Sequence, residues 1–295
     1  MRHRRLLSAI PLAALSLSLA ACSGSSNDNS TVTQPSSSGS AGSLSNLLPA
    51  DVKAKGKLVV GSDISYAPVE FKDDSGKVVG IDPDLGKAIG DKLGITLDFQ
   101  NATFDGLITS LTSKRIDLIM SAMSDNKKRQ ASVDFVDYFN AGTSIIVAKG
   151  NPKGIQSIDD FCGQTVALQR GTTQDDLATA QVAKCKTAGK PLNLLKFDTD
   201  PEALLQIKQG RAVADMNDFP VAAYTAKNDT AFEVVGEQIG AGPYGIAVPK
   251  DQTQLRDAIK AAIQALIDDG EYKAILDKWQ VAQGALTTAT VNAGT

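Results

Sequence analysis

The sequence predicts an α/β protein built as two doubly wound lobes joined by a two-strand hinge. Three observations predict it. Short apolar strands alternate with amphipathic helices from Lys57 onward, the pattern of βαβ units around a parallel sheet. A second series of the same kind begins after Gly150-Asn151-Pro152. Two closing amphipathic helices carry apolar stripes that need a partner surface, and the first lobe is the candidate.

In the first series, 57–61 is a predicted strand and 84–93 a helix with Leu85, Ala88, Ile89 and Leu93 on one face. A strand at 95–100 follows. The helix at 104–113 places Phe104, Leu107, Ile108 and Leu111 at i, i+3, i+4 and i+7, and a strand covers 117–120. The second series runs strand 165–169, helix 173–188, strand 192–197, helix 201–209, strand 213–217 and helix 219–226. Strand 244–248 precedes the closing helices. Leu255, Ile259, Ala262, Ile263 and Leu266 form one stripe; Tyr272, Ile275, Leu276 and Trp279 form the next. Two lobe crossings are expected, near 144–151 and 236–242. Lobe 1 then comprises 47–147 and 240–281, and lobe 2 comprises 148–239. The segment 282–295 is small and polar, and a loose tail is expected there. In open α/β sheets ligands sit beyond the carboxyl ends of strands, and two facing lobes can share one cleft.

The start of the chain bears on compartment. Arg2, Arg4 and Arg5 precede an apolar run, 6–21, that ends in Leu19-Ala20-Ala21-Cys22. This has the form of a secretory signal, 1–21, with Cys22 as a lipidated residue. An ordinary signal with a chance cysteine, or a short membrane anchor, is the alternative. The run is short and serine-rich for a span of roughly 20 residues. Segment 22–46 is rich in Ser, Gly, Asn and Thr and is expected to be a disordered tether. Loss of 1–21 would leave 27 basic against 33 acidic residues, a formal charge of −6. That balance argues against nucleic acid as a partner.

The single histidine, His3, leaves with the signal. What remains has no imidazole base, no His-based triad and no His metal ligand, so no metal or cofactor is expected. Besides Cys22 only Cys162 and Cys185 remain. In an exported protein a disulfide is the expected use. The chain goes up the short strand 165–169 and returns down the helix 173–188, bringing the two cysteines together. Two buried free thiols are the alternative.

Several segments, in order, carry a resemblance: Asp63-Ile-Ser-Tyr-Ala-Pro-Val-Glu-Phe71, Gly80-Ile-Asp-Pro-Asp-Leu85, Phe104-Asp-Gly-Leu-Ile108, Asp117-Leu-Ile-Met-Ser-Ala-Met-Ser124 with Lys128-Arg129, Gly171-Thr-Thr-Gln174, Asn217-Asp218 and the stretch from Asp268 to Trp279. Together they resemble the family-3 extracellular solute-binding proteins, the polar-amino-acid-binding components of bacterial ABC importers, over about 57–279. The resemblance implies a periplasmic binding protein type II-like fold that captures an amino acid or amino-acid-like solute by lobe closure. It implies delivery to a membrane permease by a monomer anchored through Cys22, with no enzymatic step.

Residue by residue, chemistry gives these segments work. Arg129 offers a planar fork suited to a carboxylate. Composition alone would make it a surface residue of the turn Lys127-Lys128-Arg129; the resemblance makes it the carboxylate ligand. Gly171, Thr172, Thr173 and Gln174 open a helix, where backbone N–H groups attract an anion and a Thr can also cap. Asp218 is an N-cap by position and the partner of the ligand ammonium by resemblance. Ser121, Ala122 and Ser124 match ligand-contacting positions, with Ala122 where some relatives carry serine. Asp63, Tyr66 and Phe104 are expected to line the side-chain pocket, core being the alternative for the two aromatics. Asp63 could recognise a cationic side chain. Val69 and Pro83 depart from the usual residues of the family. Gly240-Ala-Gly242-Pro-Tyr-Gly245 fits G-x-G-x-x-G, but a strand rather than a helix follows, so it is a hinge crossing and not a dinucleotide site. A lyase of the same fold acting on a prephenate-like acid, and a ligand sensor, are the alternative functions.

Overall fold

The computed structural model describes residues 44–295. The expected signal 1–21, the lipidated Cys22 and the tether up to Gly42-Ser43 lie outside those residues. A 3-10 turn (Leu44–Leu47) and α1 (Ala50–Lys55) lead into β1 (Lys57–Ser62), β2 (Phe71–Lys72) and β3 (Val78–Val79). Then follow α2 (Ile81–Leu93), β4 (Thr96–Asn101), α3 (Leu107–Thr112), β5 (Leu118–Ile119), α4 (Lys127–Gln130) and β6 (Val133–Ala148). The second lobe supplies β7 (Thr165–Gln169), α5 (Thr173–Thr187), β8 (Asn193–Phe197), α6 (Asp200–Lys208), β9 (Ala214–Asp218) and α7 (Phe219–Asn228). The chain returns through β10 (Phe232–Pro249) to α8 (Thr253–Asp268), α9 (Glu271–Lys278) and β11 (Thr290–Val291).

The main sheet runs β4-β1-β5-β10-β6-β9-β7-β8, with β11 on the free edge of β6. β1 is parallel to β4 and β5, and β7 is parallel to β8 and β9. Only the long β6 and β10, antiparallel to each other, belong to both lobes. Along its other edge β6 pairs with β11 at Val136 and Asp137, then with β9 from Thr143 to Val147. The first crossing therefore falls at 140–142, ahead of the expected 144–151, whose residues already pair within lobe 2. Segment 232–235 of β10 pairs with 145–148 of β6, and three register shifts mark its passage between the lobes. Such bulges bend a strand and increase its twist.

Each lobe buries helices on both faces of its part of the sheet. In lobe 1, α2, α8 and α9 cover one face; α3 covers the other with Leu107 and Leu111 against Ile119 and Phe135. The predicted α8 stripe is buried, with Leu255, Ile259, Ala262, Ile263 and Leu266 at most 3 % exposed. Burial of each such large side chain stabilises the fold by about 1.5–3 kcal/mol. In lobe 2, α5 packs on one face and α6 on the other. Pro83 sits in the first turn of α2, where a backbone N–H has no helical acceptor to lose. The helix can therefore start at Ile81, ahead of the expected Asp84. Cys162 and Cys185 are joined as a disulfide, Cα–Cα 4.9 Å.

The expected loose tail is packed instead. Ala289 is buried, Thr290 and Val291 pair with β6, and Gly284 lies where a Cβ would collide with the Phe139 ring. Its small, polar composition carries no apolar stripe, but its backbone and the Asn292 amide find partners on the β6 edge. At the other end Leu44 already packs on the core, so 44–46 belong to the fold rather than to the tether.

Candidate functional site

The ends of β1, β5, β7 and β9 converge between the lobes. A small cavity there, nearly closed between the lobes, is lined from lobe 1 by Asp63, Tyr66, Phe104, Ser121, Ala122, Ser124 and Arg129. Lobe 2 contributes Thr172, Thr173, Gln174 and Asp218. Of the twelve residues singled out in the sequence, only Gly171 is not on its wall. Two further lining residues, Glu70 and Gln169, escaped the sequence reading.

Arg129 is 9 % exposed and held from three sides. Asn126 caps the short α4 by accepting from the Arg129 backbone N–H at 2.9 Å. The guanidinium donates through Nη1 to the Ser124 carbonyl at 2.8 Å and through Nη2 to the Gly171 carbonyl at 3.2 Å. Its Cζ lies 5.4 Å from the centroid of the Phe104 ring. Phe104 is thus a stacking platform for the cation as well as a wall. Burial lowers the Arg129 pKa to about 10, against the raising influence of Asp218. It remains charged at neutral pH.

Gly171 works behind the cavity. Its carbonyl receives Arg129, its N–H donates to Asp175 Oδ2 at 3.1 Å, and a Cβ would lie 2.8 Å from the Asp105 side chain. With φ at +78° the position favours glycine. Its N–H is committed within the protein, so the expected anion contact at this residue falls to its neighbours. Thr172 caps α5, accepting from the Asp175 N–H at 3.0 Å, and Thr173 and Gln174 begin the helix against the cavity. Thr173 Oγ1 meets Ser124 Oγ across the cleft at 3.4 Å.

Asp218 stands at the N-cap of α7 without a side-chain cap bond. Its Oδ1 accepts from Gln174 Nε2 at 2.8 Å and its Oδ2 from the Tyr66 hydroxyl at 3.0 Å. Burial raises its pKa to about 6, opposed by Tyr66 and by the positive charge of Arg129. Asp63 is also raised by burial, against hydrogen bonds from Ser65 and Gln169. The Gln169 amide, from lobe 2, bridges Asp63 Oδ2 at 2.5 Å and the Asp198 carbonyl at 2.9 Å.

The Ser121 hydroxyl is spent on the protein. It accepts from the Asp63 N–H at 2.9 Å and donates to Glu70 Oε1 at 2.9 Å. Glu70 is fully buried, and burial together with the adjacent Asp82 pushes its pKa far up. Its Oε2 meets no hydrogen-bond donor, and the neighbouring Asp82 accepts from Tyr138 Oη at 2.7 Å. Ala122 has φ at +43°, the left-handed region, while its N–H donates to Asp82 Oδ2 at 3.3 Å. Strain of this kind at a non-glycine residue gathers at binding sites.

The wall groups that can carry charge are then one guanidinium, Arg129, and the carboxyl groups of Asp63, Asp218 and Glu70, the last pushed far upward by burial. Arg129 and Asp218 suit the two charges of an α-amino acid zwitterion, and Asp63 remains for a further positive group. Among the described residues there is no cluster of His, Cys, Asp or Glu arranged to hold a metal ion, and no helix long and apolar enough to cross a membrane.

Comparison with known proteins adds to this geometry. Residues 58–282 match the model of the bacterial extracellular solute-binding proteins, family 3. The arginine-binding protein ArgT of Corynebacterium glutamicum is 32% identical over 249 residues, 83% of this chain and 81% of that protein. An ancestral arginine-binding protein bound to arginine superposes with a TM-score of 0.71 at 38% identity, covering 76% of this chain and 98% of that one. The structure of an ancestral arginine-binding protein bound to glutamine gives the same TM-score and identity over 77% and 98%.

Proposed function

Because the chain belongs to the bacterial extracellular solute-binding proteins, family 3, we propose that it captures a cationic L-α-amino acid, arginine first, and delivers it to an ABC importer. The family supplies the general activity, extracytoplasmic binding of an amino acid for import. The observation that carries the ligand class is the make-up of the cavity wall, where the carboxyl groups of Asp63 and Asp218 face one buried guanidinium, Arg129.

The Arg129 fork receives the ligand carboxylate, helped by the α5 start at Thr172 and Thr173. Asp218 receives the ammonium. Asp63, oriented by Ser65 and Gln169, receives the side-chain cation. Tyr66 and Phe104 supply apolar walls between these polar ends. Lobe closure brings the two halves of each pair together, and a ligand favours the closed form through contacts made only there.

We assign no catalytic step. Glu70, the acid beside the cavity that burial pushes furthest up, is fully buried with its Oε1 engaged by the Ser121 hydroxyl. The sequence Leu19-Ala20-Ala21-Cys22 supports tethering to the membrane through lipid on Cys22, with the binding lobes acting as a monomer outside the cytoplasm.

Calorimetric titration of the soluble form, 23–295, stripped of co-purified solute, against each common amino acid tests this. Heat of binding for arginine and lysine above all others supports the reading. Tightest binding of an acidic amino acid, or none at all, removes it.

A further inference from the structure

The family match ends at residue 282, and the segment beyond it reaches the turn that carries Arg129. Leu286 N–H donates to Tyr272 Oη at 2.8 Å, and Ala289 N–H donates to Gln264 Oε1 at 3.0 Å. β11 then lines the edge of β6. Asn292, at φ +53°, grips Phe135 twice. Its Oδ1 accepts from the Phe135 N–H at 2.8 Å, and its own N–H donates to the Phe135 carbonyl at 3.2 Å. Asparagine tolerates this left-handed region better than most residues.

The last contacts fall on the binding turn itself. Gly294 N–H donates to Asp125 Oδ2 at 2.7 Å, and Gln130 Nε2 donates both to the Gly294 carbonyl at 3.0 Å and to Asp125 Oδ1 at 2.7 Å. Gln130 follows Arg129 in α4. Asp125 follows Ser124, whose carbonyl holds the Arg129 guanidinium. Arg129 and Ser124, one of the residues that hold its guanidinium, are thus each next in sequence to a residue tied to Gly294. A Cβ on Gly294 would stand 2.1 Å from the Asp125 carbonyl oxygen, so the contact admits only glycine.

We infer that segment 290–294 is a positioning element for Arg129. It clamps both ends of the turn 124–130 through Gly294, Asp125 and Gln130 and so sets where the guanidinium meets the ligand. The inference rests on the assignment of Arg129 to the ligand carboxylate for its effect on affinity, but not for its effect on the turn.

The test uses the 23–295 chain with Gly294→Ala, with Gln130→Ala and with both. Two quantities are measured: amide hydrogen exchange over 122–131 and the dissociation constant for L-arginine. Exchange over 122–131 is expected to rise in each variant while that of 165–169 stays unchanged. Affinity is expected to fall about tenfold in each single variant, on the scale of one charge-assisted hydrogen bond. The double variant should be no weaker than either single one, since both break the same clamp. Wild-type exchange, or a lowered melting temperature with wild-type affinity, overturns the inference. Raised exchange in variants of a protein that binds no amino acid would uphold the clamp on the turn and remove the ligand assignment instead.

Discussion

Tyr66 and Asp218, 152 residues apart and on opposite lobes, are hydrogen-bonded twice through one hydroxyl. Tyr66 Oη donates to Asp218 Oδ2 at 3.0 Å and accepts from the Asp218 N–H at 2.9 Å. The same carboxylate is the proposed ammonium site, so the group that recognises the ligand also senses closure. Tyr66→Phe keeps the ring and removes both bonds. A hydrogen bond to a charged group is worth about 1.5–3 kcal/mol. Ligand affinity should therefore fall about tenfold or more, mostly through faster dissociation in stopped-flow measurements. An unchanged dissociation rate would mean that this hydroxyl plays no part in holding the lobes shut.

Acid should act on binding and on stability with opposite sign. Burial raises Asp218 to about 6, and its protonated form cannot pair with an ammonium. Affinity should fall as the pH drops below 6, by up to about tenfold per unit for a single linked proton. A flat titration between pH 5 and 8 would contradict the role given to Asp218.

Stability should run the other way between pH 5 and 8. Burial raises Asp82 and Asp200 to about 7 and Asp137 and Asp218 to about 6, from a usual value of 3.8. The folded chain therefore holds more protons than the unfolded one in this range. The stability they contribute is full below about pH 4 and is lost as the pH rises through 6 to 7. Asp134 and Asp175 oppose them in strong acid. Burial pushes both upward, but hydrogen bonds from Asn292 and Arg256 to the first and from Lys196 to the second prevail. Their contribution is lost as the pH falls below 4. The melting temperature of the ligand-free protein should peak between pH 4 and 6 and decline toward 8; a maximum at pH 8 would refute this.

The disulfide closes a sequence separation of 23 residues that includes β7 and most of α5. Opening such a loop in the unfolded chain costs the folded state about 3 kcal/mol. The double variant Cys162→Ser, Cys185→Ser should melt about 6–12 °C lower. Both cysteines lie away from the cavity wall, so ligand affinity below the transition should be unchanged. Loss of affinity without loss of stability would show that the bridge shapes the site.

What the sequence disclosed follows the physics of each element. β7 and α5 were legible because an apolar run ends at Gln169 and Gly171-Thr172 then break and cap the chain. α8 was legible from its stripe. α4, four residues long and started only by the Asn126 cap, leaves no periodic trace. β2 and β3 are two residues each, too short for alternation to register. The extent of β6 was hidden because Asp134 and Asp137 interrupt its apolar run, and these acids are partnered from the segment after Gly284. Within the site, Arg129 and Asp218 needed family resemblance, since a turn and an N-cap explain them equally well. Gln169 carried a signal that passed unused: it ends a strand whose carboxyl end faces the cleft. Glu70 carried none, because its upward shift comes from complete burial and then from Asp82, both of which exist only in the fold.

The central claim is that the cavity selects a positive side chain through Asp63. L-arginine and L-citrulline have nearly the same shape and differ in that charge. Their dissociation constants for the wild-type protein, measured side by side by calorimetry at pH 7.5, isolate it. Loss of one partner of a buried charge pair costs about 2–5 kcal/mol, so arginine should bind about 30-fold or more tightly. Equal affinity for the two would contradict the account and return Asp63 to a structural role beside Gln169.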